Sequence, residues 1–130
     1  MSETLVRMRQ RLPEKGIKGV KEELVDLCGL DETTKEQGNP YFTVAHALSR
    51  LEDDDSYGTA LMVGSCMHGE FGTLLLEKDP IALVLLYLWQ SKARRIRWWF
   101  EMRARVELPA IRSYLLRFHA DVSKILAFVV

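Results

Sequence analysis

The chain has 130 residues, 48% of them hydrophobic, with 18 basic and 18 acidic side chains. That is enough for one domain with its own core and too little for two, and the zero net charge gives no whole-chain sign of a polyanion partner. No apolar run reaches the length of a membrane span, and the opening Met-Ser-Glu-Thr-Leu-Val-Arg lacks a signal-peptide core, so the expected compartment is the cytoplasm with no membrane partner.

Leu5 to Leu12 reads as a short helix stopped by Pro13, Gly16 and Gly19. Those two glycines lack the strand, lysine and hydroxyl of a phosphate loop, which makes them a loop. A second helix begins near Lys18, places Val20, Leu24, Val25 and Leu27 at helical spacing, and ends at Gly29. The polar stretch from Asp31 to Pro40 is a connection. A third helix follows from Thr43 as its N-cap, with Val44, Ala47, Leu48 and Leu51 on one side and His46 off that side. Glu52 to Asp55 form an acidic run whose neighbouring carboxylates diverge, and this reads as a solvated turn rather than a metal site or a phosphate mimic.

From Tyr57 to Leu76 glycines interrupt an apolar sequence, and the expectation is a loosened helix followed by a loop, with a small hairpin as the alternative. Cys66 and His68 supply two of the four ligands structural zinc needs, while His46, His119 and Cys28 have no spacing that joins them, so no metal or other cofactor is expected. The distant Cys28 and Cys66 are expected as reduced thiols. No nucleophile–base pair or nucleotide fingerprint occurs, and the chain reads as non-enzymatic. Asp79 then caps the clearest helix start, with Pro80 in its first turn and apolar residues on nearly all sides through Trp89, the pattern of a buried central helix. Trp89, Trp98, Trp99 and Phe100 are expected to close the core at helical spacing, with base stacking as the alternative.

The last part of the chain carries the functional argument. A helix over Ile96 to Ala104, a break at Val106-Glu-Leu-Pro and a longer helix from Pro109 have the order and spacing of a helix-turn-helix. From Lys92 onward nine basic residues face three acidic ones, a surplus of six that the preceding part balances with an equal deficit. The expected architecture is therefore a small all-α single-domain bundle, residues 1–78 acidic and 79–130 a basic helix-turn-helix part. In the second helix Ile111, Leu115, Phe118, Val122 and Ile125 make the inward stripe. Arg112, Ser113, Leu116 and Arg117, near its N-terminus, are the candidates for reading base edges. Arg94, Arg95, Arg97, Arg105 and Lys124 are the candidates for phosphate contacts.

This order of elements from Asp79 to the end resembles the region 4 type of helix-turn-helix of sigma factors and is similar to phage late-gene antitermination proteins of the Q class. The resemblance covers about the last fifty residues. It implies a DNA-binding transcription regulator, acting on double-stranded DNA and touching RNA polymerase, with the acidic part as the partner surface. The competing expectation is a helical protein-interaction module, an oligomer or host-factor inhibitor, whose arginines meet an acidic protein. A homodimer is compatible with either and would use a globular surface, with the apolar end from Ile125 to Val130 as a candidate.

Overall fold

The computed structural model describes residues 16–123, with side chains described as far as residue 121. The helix expected over Leu5 to Leu12, the phosphate contact assigned to Lys124 and the apolar end from Ile125 lie outside the described residues.

The fold is all-α, and no strand forms among the described residues. Helix α1 (Glu22–Cys28) ends where the sequence places its stop: Gly29 takes φ 66°, ψ 38°, a left-handed conformation natural to glycine, and its N–H closes on Val25. A 3₁₀ turn (Glu36–Gly38) leads to α2 (Phe42–Asp53). Thr43 lies inside α2 rather than at its cap, and the turn before it is instead held by the Asn39 side chain, which accepts from the Tyr41 N–H at 2.8 Å. Helix α3 (Tyr57–Ser65) is capped by the Ser56 hydroxyl, which accepts from Thr59 N–H at 3.2 Å. Asp54 accepts from the Thr59 hydroxyl at 2.8 Å; Glu52 to Asp55 are exposed, but the expected turn is confined to Asp54 and Asp55, since Glu52 and Asp53 form the end of α2 and reach Lys92 and Lys21.

The loop expected near Leu76 is a further helix, α4 (Glu70–Leu76), entered through Gly69 at φ 67° and packed by the buried Phe71. Helix α5 (Pro80–Ala93) then runs through the middle of the bundle against α2, α3 and α4. Asp79 accepts from Ala82 N–H at 3.0 Å as its N-cap, and eight of the fourteen residues of α5 are buried. A short connection at Arg94 to Arg97 reverses the chain into α6 (Trp98–Phe118), which packs along α5; after His119 the four-residue α7 (Ala120–Ser123) touches both.

Two expectations about α6 are corrected here. The break at Val106 to Pro109 does not form: the two expected helices are one helix of 21 residues with Pro109 in its interior. Proline fits helical φ, but it lacks the N–H that would reach the Arg105 carbonyl, a loss that costs a helix interior roughly 3 kcal/mol. Offsetting this, one unbroken helix buries Ala104, Leu108, Ile111 and Leu115 as a single stripe against α5. Each large apolar side chain in that stripe contributes about 1.5–3 kcal/mol. Pro109 lies on the exposed side of α6. The inward stripe also stops early, since Phe118 is 59% exposed at the helix end.

The core is anchored by Trp89. Its indole N–H donates to the Ala60 carbonyl at 2.9 Å, its ring stands edge-on to Phe100, and its far edge lies over Gly64, where a Cβ would come within 2.9 Å of it. Trp98 and Trp99 do not join this core, being 67% and 41% exposed, because at their positions on α6 they face away from α5.

Candidate functional site

The chemistry-bearing residues scattered along the chain do not converge. His46 was expected off the apolar side of its helix. It is buried instead, its Nε2 donating to the Gly16 carbonyl at 3.0 Å and its ring against Phe42, and burial holds its pKa below the ordinary histidine value. Cys28 and Cys66 are buried and form no disulfide, and burial pushes the Cys28 thiol up to about 12, which keeps it protonated and unreactive at neutral pH. Among the described residues no group of three or more His, Cys, Asp or Glu could hold a metal ion, and no helix is long and apolar enough to cross a membrane.

The arginines divide into two sets. Arg94 forks onto Glu101, with one N–H···O contact of 2.8 Å, and holds the Glu101 carboxyl below the usual carboxylate range; Arg105 reaches the same carboxylate at 3.6 Å. Arg103 pairs with Glu107, which also accepts from Gln90 at 2.8 Å. Exposed or half-exposed pairs of this kind contribute little to stability, and of these contacts the Gln90–Glu107 bond joins α5 to α6. By contrast Arg95, Arg97, Arg112 and Arg117 have no carboxylate within ion-pair distance among the described residues. Arg97 stacks over Tyr57 at 4.7 Å and Arg117 over Phe118 at 5.2 Å. Of the expected phosphate-binding residues, Arg94 and Arg105 thus turn to Glu101, while Arg95 and Arg97 lie in the α5–α6 connection.

Arg112, Ser113, Leu116 and Arg117 are all exposed and lie together on the last turns of α6. They are far from the N-terminus of their helix, which is at Trp98. What surrounds them is the more telling feature. Trp99, Met102, Val106, Pro109, Ser113 and Leu116 follow one another at steps of three, four, three, four and three. This second stripe lies opposite the buried one. Met102 is 60%, Val106 73% and Leu116 55% exposed. Away from its covered face, α6 leaves Met102, Val106 and Leu116 in solvent beside guanidinium groups, while Trp99 at the head of the stripe is partly covered by Tyr57, edge-on at 5.6 Å. The signal was present in the sequence, but a helix broken at Pro109 divides the strip in two and hides it.

No known protein family, curated protein or solved structure matches the chain.

Proposed function

We propose that the chain is a non-enzymatic protein-interaction module whose working surface is the outward face of α6, placed against an acidic protein surface. The observation that carries this reading is the exposed strip of Trp99, Met102, Val106 and Leu116 beside Arg105, Arg112 and Arg117. Exposed apolar strips rimmed by polar groups mark contact sites with other macromolecules. Large aromatic, Met and Arg side chains are the types enriched in protein interfaces. A phosphate backbone offers Met102 and Val106 nothing to bury against, whereas a protein partner covers the strip and pairs the arginines together.

A second reading, a DNA-binding transcription regulator that also contacts RNA polymerase, is favoured by one observation: Arg95, Arg112 and Arg117 are exposed without a carboxylate partner among the described residues. One pair of measurements separates the two readings. Random peptides are selected on the full-length protein and counter-screened against Val106→Gln, and labelled random duplex DNA is titrated at two salt concentrations. The interaction reading expects ligands that need Val106 and weak duplex binding at ordinary salt. Tight, salt-sensitive duplex binding that Arg112→Ala/Arg117→Ala loses and Val106→Gln retains would overturn it in favour of the regulator.

A further inference from the structure

The exposed strip has the geometry of a helix-pairing seam, and its margins specify what can pair with it. With Trp99, Met102, Val106, Pro109, Ser113 and Leu116 as the alternating seam positions, the positions that flank it are Trp98, Arg105 and Arg112 on one side and Arg103, Ala110 and Arg117 on the other. In paired helices those flanking positions choose partner and orientation through charge. Four of the six are arginine and none is acidic; Arg103 and Arg105 reach Glu107 and Glu101 of α6 itself, while Arg112 and Arg117 have no carboxylate partner among the described residues.

We infer that the occupant of this face is an amphipathic helix of a partner protein, with apolar residues in its own seam and Asp or Glu at the positions that flank it. This rests on the protein-interaction reading and names its partner. A second copy of α6 is excluded as the occupant by the same margins, because pairing α6 with itself sets arginine against arginine in either orientation. The seam runs from Trp99 to Leu116, about 26 Å of helix. That matches a single partner helix of about five turns, not an extended strand, whose side chains alternate by two.

The test uses the full-length protein and two synthetic helical peptides of about 21 residues, both with Leu at the seam positions. One carries Glu and the other Lys at the flanking positions, and binding is followed by calorimetry and by tryptophan fluorescence. The Glu peptide is expected to bind at least about tenfold more tightly than the Lys peptide, the gap narrowing as salt is raised. Arg112→Glu/Arg117→Glu is expected to reverse the preference, and Val106→Gln to abolish binding of both. Arg112, Arg117 and Val106 are exposed, and circular dichroism verifies that these variants stay folded. Equal binding of the two peptides overturns the inference, as does a native dimer that Val106→Gln dissolves. If neither peptide binds while peptide selection still yields Val106-dependent ligands, the helical partner is wrong and the interaction reading stands. If selection yields none and duplex DNA binds, the interaction reading itself fails.

Discussion

Replacing Pro109 with alanine discriminates between one helix and two. In the interior of α6 the alanine restores the N–H that the Arg105 carbonyl lacks, and Pro109 is exposed, so no packing is lost with the ring. The gain for an interior position is roughly 3 kcal/mol. Loss of the proline also loosens the unfolded chain, which returns about 0.4–1 kcal/mol. The net expectation is a stabilisation of about 2 kcal/mol. For a chain of 130 residues an unfolding entropy near 2.1 cal/mol/K per residue converts this to a rise in Tm of about 7 °C. Thermal melts followed by circular dichroism at 222 nm, together with urea titrations, measure it. Where a separate helix begins at Pro109, the residue already occupies its favoured first position and the substitution is neutral or destabilising. A Tm that stays level or falls would therefore refute the continuous helix and, with it, the unbroken outward seam.

Gly64→Ala is expected to destabilise despite the better helix propensity of alanine, by about 1–2 kcal/mol net. Its Cβ would meet the Trp89 ring at 2.9 Å, and that ring is fixed by its bond to Ala60; Gly38→Ala, with nothing within 4 Å, is the control and should change little. A near-UV circular dichroism spectrum unchanged in Gly64→Ala would contradict the placement of Trp89. Asp79→Ala removes the N-cap of α5 and the acceptor of the Tyr41 hydroxyl, which lies at 2.8 Å, and should cost about 1–2 kcal/mol in urea titrations; Asp79→Asn or Asp79→Ser should recover most of the cap. His46 is held neutral by burial, so its folded pKa lies below the unfolded value near 6.5. Its contribution is therefore complete above that pH and is lost as the unfolded chain takes up the proton below it. Melts from pH 7 to pH 5 should show Tm falling, and His46→Gln should flatten that dependence; an unaltered slope in the variant would refute the assignment to His46, since Asp54, depressed by its bonds to Thr59 and Ser56, loses its contribution only below its ordinary value of 3.8.

Features that rest on neighbours in the chain were legible from the sequence alone. Asp79 and Pro80 start α5, its apolar surroundings bury it, and Gly29 ends α1, because capping, proline placement and left-handed glycine are settled within a few residues. The all-α class follows from the same local signals. What the tertiary structure decided depends on distant partners. Pro109 has a φ that suits both a helix start and a helix interior, and the choice falls to the interior because Ala104 to Leu115 lie as one stripe against α5. His46 turns inward because the Gly16 carbonyl, thirty residues earlier, accepts its proton in a site that shuts out water. The outward seam exists only because α5 can cover one side of α6: two apolar stripes are written in the sequence, and packing decides which is buried and which is left for a partner.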